Sequence, residues 1–256
     1  MISVGVDVGN KFTKAVVLKD GQVISKSIVL SGFDQKQSAN EAYDQAIKEA
    51  GISKNDVNYV LATGAGKKEV DFANDVVSEV GAGARGAVYF FPSGRTIIDV
   101  GAEDGRASKC DQNGKIVDFA VNEKCAAGAG SFSESMARAL EVPLEEIGPL
   151  ALQSNNVIYM NAQCTVFAES EVVSLIHAKT SKADISKAVH DAIAARIISM
   201  ARRVGVEKDL VMIGGVGNNV GFLKALGDGL EIEVLVPDKP EYVCAIGAAL
   251  IAAERN

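Results

Sequence analysis

A pattern of strands and turns occurs twice in this chain of 256 residues. The first copy, ISVGVDVGNKFTKAVVLKDGQVISKSIVL, reads as an apolar strand ending in Asp-x-Gly, a glycine turn, a second strand, a DG turn and a third strand. The second copy starts at Arg95, and its Asp99-Val100-Gly101 lies 92 positions after Asp7-Val8-Gly9. A repeat of this kind indicates two related units, which we expect to meet near residues 92–95.

Helical and strand patterns continue between and after the two copies. Apolar residues at helical spacing predict helices at about 38–50 and 185–204, and in SFSESMARALEV, GFLKALGDGL and VCAIGAALIAAE. Further strands are predicted in VNYVLATGAG, DLVMIGGVGNN and EIEVLVP. We therefore predict an α/β protein with an N-terminal lobe, 1–94, and a C-terminal lobe, 95–256. This prediction allows the last helix of the second lobe to pack back on the first lobe.

Composition excludes several classes of partner. With 33 acidic and 26 basic residues the net charge is −7, which argues against binding nucleic acid by bulk charge. No apolar run approaches the roughly 20 residues that a membrane helix needs. The N-terminus runs directly into a strand pattern without the features of a secretory signal, so we expect a cytoplasmic location.

Glycine turns follow three of the predicted strands. Asp7 and Asp99 end two strands and precede Gly9 and Gly101, and a carboxylate placed this way can hold Mg²⁺ through water while glycine amides cradle phosphate. The motifs of P-loop and dinucleotide sites after the first strand are absent, so a nucleotide clamped between two lobes fits better. The predicted nucleotide-binding residues are Gly9, Asn10, Lys11, Thr13, Lys14, Gly101, Ala102, Gly214, Gly215, Val216, Asn218 and Asn219.

Two of the four cysteines precede helical patterns. Cys125 lies in the small-residue loop NEKCAAGAGSF, and Cys164 precedes TVFAESEVVSLI. Helix N-termini favour anionic groups, and reactive or metal-binding thiols are often placed in this way. Cys110 and Cys244 lie in apolar segments and are predicted to be buried structural residues. No CxxC pair is present.

Longer segments add a family resemblance. NEKCAAGAGSF, AQCTVFAESEVVSLI and MIGGVGNN closely resemble the activators of 2-hydroxyacyl-CoA dehydratases and the ATPase subunits of ATP-dependent benzoyl-CoA reductase, and the resemblance covers nearly the whole chain. The repeated Asp-x-Gly turns and the late GGV turn resemble the fold of sugar kinases, heat-shock chaperones and actin. That resemblance implies two ribonuclease-H-like lobes that close on ATP.

The resemblance also implies a mechanism and cofactors. Cys125 and Cys164 would hold a 4Fe-4S cluster between two subunits, and hydrolysis of ATP with Mg²⁺ at Asp7 and Asp99 would drive electrons to a partner. Because such a cluster takes four thiolates and one chain offers two, we expect a homodimer or a heterodimer with a related ATPase subunit. The expected partners are an iron–sulfur acyl-CoA dehydratase or reductase component and a ferredoxin or flavodoxin donor.

Catalytic roles follow from the same resemblance. It assigns them to Asp7, Asp99, Glu103 and Asp104, and it places Glu169 on the adenosine side of the cleft. Glu103 stands where dehydratase activators carry glutamine, and this departure, with ARGAVYFFP at 84–92, favours the reductase subunits.

Two other functions stay open at this point. A small-molecule kinase of the same fold would need a base beside a second substrate, and Asp99, Glu103 or Asp104 could supply it. A non-enzymatic actin-like or chaperone-like scaffold would use the same nucleotide turns. The scaffold makes no use of Cys125 and Cys164.

Overall fold

The structure is a computed structural model that describes residues 1–122, 129–160 and 164–255, and within them the strands form two five-stranded sheets. The first sheet consists of β1 (Ile2–Val8), β2 (Phe12–Lys19), β3 (Gln22–Leu30), β4 (Tyr59–Thr63) and β5 (Asp75–Val76). The second consists of β6 (Thr96–Val100), β7 (Gly105–Cys110), β8 (Ile116–Asn122), β9 (Leu210–Ile213) and β10 (Val234–Leu235).

The two sheets have the same topology. Their strand orders are β3-β2-β1-β4-β5 and β8-β7-β6-β9-β10. In each sheet the first three strands pair antiparallel in sequence order, the fourth pairs parallel to the first, and the fifth pairs parallel to the fourth. The repeat read from the sequence is therefore a repeat of a whole sheet.

Eight helices cover these sheets in the part of the chain that the structure describes. They are α1 (Gln35–Ala50), α2 (Glu79–Phe90), α3 (Ala129–Ala139), α4 (Leu144–Ala151), α5 (Thr165–His177), α6 (Lys182–Val204), α7 (Val220–Leu230) and α8 (Val243–Arg255). The sequence predicts all of them except α2 and α4. Three glycines interrupt the apolar pattern of α2, and α4 has only eight residues with Pro149 inside it.

Separate cores hold the outer helices to the two sheets. On the first sheet, α1 buries Ala42, Ala46 and Ile47 against strand residues such as Val6 and Val17. On the second sheet, α6 forms a larger core with α3, α4, α5 and α7. Among the described residues, no helix has the length and apolar character needed to cross a membrane.

Helices α2 and α8 lie between the two sheets. The last helix, α8, packs on the first sheet, where Ala245 and Ala249 join Val16 and Leu18 in one cluster. Helix α2 packs on the second sheet through a separate cluster that includes Ala87 and Val211. The two helices also pack on each other, so the order of layers is first sheet, α8, α2, second sheet.

Close packing of α2 on α8 depends on Gly247. A Cβ atom there would overlap the carbonyl oxygen of Ala82. We expect Gly247→Ala to lower the free energy of unfolding by about 1–3 kcal/mol, because overpacking a close helix contact forces the backbones apart. Gly81→Ala is the control. Its Cβ would meet side-chain atoms rather than backbone, the nearest being the Ser78 side-chain oxygen at 3.1 Å. Urea unfolding measures both; equal stability of the two variants would contradict the prediction.

Candidate functional site

A cleft of about 550 Å³ opens between the two sheets at the ends of β1 and β6. Its volume falls within the range of small-molecule sites. The first and second copies of the repeat contribute one wall each, and the glycine turn after β9 adds a third segment. Helices α3 and α4 also line it, through residues such as Ser133 and Gly148.

The first wall is built around Asp7 at the buried end of β1. Asp7 and Lys14 are direct partners in the antiparallel pairing of β1 with β2, and Lys14 Nζ lies 3.1 Å from Asp7 Oδ2. Burial lowers the pKa of Lys14, but Asp7, with smaller contributions from Cys244 and Asp99, outweighs it and the pKa is raised. Gly9 closes the turn by donating its N–H to the Phe12 carbonyl at 3.1 Å.

The second wall repeats this arrangement around Asp99. Arg106, its direct partner across β6 and β7, donates from Nη1 to Asp99 Oδ2 at 3.2 Å and from Nη2 to Asp104 Oδ2 at 2.8 Å. Burial raises the pKa of Asp99 and of Asp104, although Arg106 opposes the shift in both cases. Gly101 closes the turn by donating to the Asp104 carbonyl at 3.0 Å.

A glycine with positive φ lies against each of these aspartates. Gly64 follows β4 with φ 93°, and Gly214 follows β9 with φ 83°. A Cβ on Gly64 would lie 2.7 Å from Asp7 Oδ1, and one on Gly214 would lie 2.6 Å from Asp99 Oδ1. Conformation and space together therefore require glycine at both positions.

Most of the predicted nucleotide-site and catalytic residues line this cleft. They are Asp7, Gly9, Asn10, Lys11, Lys14, Asp99, Gly101, Ala102, Asp104, Gly214, Gly215, Val216, Asn218 and Asn219. Asn219 also caps α7, because its Oδ1 accepts the N–H groups of Gly221 and Phe222.

Three predicted residues lie outside the cleft lining. The Thr13 hydroxyl is fully buried and shares hydrogen bonds with the hydroxyls of Ser31 and Ser38, at 2.9 and 3.1 Å. Glu103 is exposed in the turn after β6, and Glu169 is exposed on α5. The cleft of this structure therefore does not include these three side chains, for which binding or catalytic roles were predicted.

Several cleft residues were missed by sequence reasoning. Glu79 begins α2 and lies 3.2 Å from Lys67 Nζ and 3.6 Å from Arg106 Nη2. Glu134, on α3, faces the first wall. Gly64 had a signal in the sequence, because it follows a parallel strand as Gly214 does. Glu79 and Glu134 reach the cleft only when the lobes are assembled.

Cys244 forms part of the cleft floor, where its sulfur lies 3.7 Å from Asp99 Oδ2. Burial, followed by Asp99 and Asp7, raises its pKa well above the ordinary thiol value. Burial also raises the pKa of Cys110 to about 11. Both cysteines are buried, as the sequence predicted.

Contacts across the cleft join the walls to α3. Lys11 Nζ lies 2.5 Å from Glu134 Oε1, and Asn10 Nδ2 lies 3.4 Å from Asp104 Oδ2. The first N–H groups of α3 donate to the second wall, from Gly130 to the Gly101 carbonyl at 3.2 Å and from Ser131 to the Ala102 carbonyl at 2.9 Å. Helix α3 is therefore held by both walls, by the second at its start and by the first at Glu134.

Of the two predicted cluster ligands, one lies in the described part of the chain. Cys164 is the half-buried N-cap residue of α5, and Cys125 lies outside the described residues. Several apolar side chains of α5 are exposed: Val166, Phe167, Val173 and Ile176. A thiol at a helix N-terminus beside an exposed apolar face fits a ligand that two subunits share.

Comparisons with known proteins agree with this geometry. The chain is 41% identical over 254 residues to the activator of lactoyl-CoA dehydratase of Anaerotignum propionicum, covering 99% of this chain and 98% of that protein. It is 33% identical over 267 residues to one of the subunits of the benzoyl-CoA reductase of Thauera aromatica, covering 100% and 94%. The solved activator of 2-hydroxyisocaproyl-CoA dehydratase from Clostridium difficile, with bound ADPNP, superposes with a TM-score of 0.92 at 35% identity, covering 99% and 95%.

A family model matches most of the chain, from residue 4 to residue 252. Its extent takes in both copies of the repeat, the cleft between them and the return of α8 to the first sheet. The fold is that of the actin-like ATPases. The chain belongs to the BadF/BadG/BcrA/BcrD ATPase family.

Proposed function

We propose that this protein hydrolyses ATP in the cleft and uses the resulting change to pass low-potential electrons to an acyl-CoA dehydratase or reductase component. The observation that carries the proposal is the attachment of α3 to both walls of the cleft. In sequence, α3 starts four residues after Cys125. A conformational change at the bound nucleotide would therefore be transmitted through α3 to the segment that contains Cys125, a predicted cluster ligand.

The nucleotide half of the proposal uses the two repeated walls. Asp7 and Asp99 would hold Mg²⁺ through water, because both carboxylates are nearly buried at the cleft floor and magnesium keeps most of its waters. Because the N–H groups of Gly9 and Gly101 already close their turns, the next amides, at Asn10 and Ala102, would bind the phosphates together with that of Gly215. Mg²⁺ bound there would neutralise part of the charge on the γ-phosphate and on the ADP leaving group.

Glu79 is our candidate for orienting the attacking water. Its carboxylate lines the cleft and is fixed by Lys67 and Arg106 on either side. Asp104 lies in the same wall, whereas Glu103 points to solvent in this structure. We therefore assign the carboxylate role to Glu79 and Asp104 rather than to Glu103.

The electron-transfer half uses Cys125 and Cys164. Each chain would supply two thiolates, so a dimer would complete the four ligands of a 4Fe-4S cluster, whose chemistry is one-electron transfer. The exposed apolar side chains of α5 would be covered in that dimer. A homodimer is consistent with the dehydratase activators, and a heterodimer with a related ATPase subunit is consistent with the reductase.

Movement between the lobes would connect the two halves. We propose lobes at 1–94 and 95–256, with α2 and α8 as the layer across which they rotate. ATP and ADP shift that equilibrium only if they bind its two states with different preference, and the γ-phosphate supplies the difference. The partner would be an iron–sulfur acyl-CoA component, and the donor a ferredoxin or flavodoxin. The cytoplasmic location predicted from the sequence stays a prediction.

Anaerobic purification followed by two assays tests this function. We expect iron in the purified protein, and ATP hydrolysis that accompanies electron transfer from a reduced low-potential donor to an acyl-CoA dehydratase component. An iron-free protein that instead transfers phosphate from ATP to a small metabolite would support the kinase alternative and overturn the proposal.

The ion pair between Lys11 and Glu134 provides a test of the coupling. We expect Glu134→Gln to lower the number of electrons delivered per ATP hydrolysed by about two- to fivefold, because a partly exposed ion pair contributes at most about 1 kcal/mol. Glu146→Gln, at an exposed position on α4, is the control and should keep the wild-type ratio. An unchanged ratio in Glu134→Gln would argue against coupling through α3.

A further inference from the structure

The repeat also relates two cationic side chains, those of Lys14 and Arg106. Lys14 and Arg106 are 92 positions apart, the same interval that separates Asp7 from Asp99. In each sheet the cation faces its aspartate directly across an antiparallel strand pair, and in each it reaches the carboxylate, at 3.1 and 3.2 Å. Arg106 therefore occupies in the second lobe the position of Lys14 in the first.

The surroundings of the two cations differ in one respect. Lys14 lies against one carboxylate, that of Asp7. The guanidinium of Arg106 spans Asp99 and Asp104 at once, and Glu79 approaches it to 3.6 Å. A planar fork of donors holds two carboxylates in more fixed positions than a flexible ammonium group does. Arginine therefore suits the additional carboxylate of the second wall.

Charge in the cleft makes this position important. Seven acidic residues of the described part of the chain line the cleft that would receive the negative phosphates of ATP, and Asp7, Glu79, Asp99 and Asp104 are four of them. Arg106 contacts three of these four, and its residue is only 9% exposed, so solvent screens the interaction weakly. Removing its charge would leave Asp99 and Asp104 to repel the phosphate nearest to them.

We propose that Arg106 is a positioning residue that fixes Asp99 and Asp104 and offsets their charge, so that the site favours ATP over ADP. This inference rests on the proposed nucleotide function. The γ-phosphate adds negative charge that ADP lacks, and therefore ATP is more sensitive than ADP to loss of the guanidinium. Arg106 would act through Asp99 and Asp104 and needs no direct contact with the nucleotide.

Nucleotide titrations on the whole protein test the proposal. Dissociation constants of MgATP and MgADP are measured by calorimetry for the wild type, Arg106→Gln, Arg106→Lys and Arg85→Gln. We expect Arg106→Gln to weaken ATP binding about tenfold or more and ADP binding about threefold or less, because charge-assisted contacts in buried sites are strong. Arg106→Lys retains the charge but loses the fork that spans the two carboxylates, so its ATP preference should lie between those of the wild type and Arg106→Gln.

Arg85→Gln is the matched control. Arg85 lies on α2 and pairs with Glu254 outside the cleft, so the same change in charge should leave both dissociation constants unchanged. If Arg106→Gln does not fold, the double variant Arg106→Gln/Asp104→Asn removes one carboxylate together with the cation, and a partial loss of ATP preference, of about threefold, is expected because only Asp99 is left without its cation.

The outcomes separate this inference from the proposed function. Wild-type protein that binds neither nucleotide would overturn both. Wild-type protein that prefers ATP, together with a folded Arg106→Gln variant of unchanged preference, would overturn the inference alone. Equal loss of preference in Arg106→Lys and Arg106→Gln would also overturn it, because the positive charge would then have no role.

Discussion

Cys164→Ser is expected to yield protein with almost no bound iron. Serine keeps the size of the side chain but removes the thiolate, and a dimer of the variant offers at most two of the four sulfur ligands that the cluster requires. Iron analysis and visible absorption of anaerobically purified protein measure the loss, and electron transfer should be lost with it. Cys125→Ser is expected to have the same effect.

The chain offers a control for this variant. Cys110 is buried at the end of β7, in the core between α2 and the second sheet. Cys110→Ala should therefore retain its iron, with a modest decrease in stability from the small cavity. Iron content that is normal in Cys164→Ser and in Cys125→Ser would refute the shared cluster, while leaving the nucleotide site intact as a hypothesis.

Asp7→Asn is expected to reduce the rate of ATP hydrolysis about a hundredfold or more. The amide has nearly the same shape but carries no charge, so it holds hydrated Mg²⁺ poorly and leaves Lys14 without its carboxylate partner. Nucleotide binding, measured separately, should weaken much less, because the backbone amides of the glycine turns remain.

Asp118→Asn is the matched control for that experiment. Asp118 is exposed on β8, at an edge of the second sheet and outside the cleft lining. The Asp118→Asn variant should hydrolyse ATP at the wild-type rate. A wild-type rate in Asp7→Asn would remove the basis for placing the metal between the two walls.

The repeat carried most of the information about the fold. Two copies of the same strand and turn pattern are sufficient to predict two related α/β lobes, because each pattern is local in sequence, but β4, β5, β9 and β10 lie outside the repeated segments. Helices α2 and α4 were not predictable in the same way. In α2 the glycines that weaken the local helical signal allow close packing on α8, as at Gly86, where a Cβ would overlap the Val243 carbonyl. That requirement exists only in the assembled molecule.

The candidate site was predictable where it consists of turns and less so elsewhere. Thr13 was included because it follows the first glycine turn, but side chains alternate along a strand. Phe12 and Lys14 line the cleft, and so Thr13 points to the other face of β2. Glu79 and Glu134 lie on helices from different parts of the chain and reach the cleft only through tertiary packing.

The return of α8 to the first sheet affects how the protein is made. On the ribosome, the residues of β1 to β5 emerge before those of the second sheet, but the helix that buries Val16 and Leu18 begins only at Val243. One apolar face of the first sheet therefore waits uncovered until the strands of the second sheet have been synthesised, a situation in which nascent chains depend on chaperones. Deletion of α8 should thus impair folding of the N-terminal lobe, although α8 follows the second sheet in sequence.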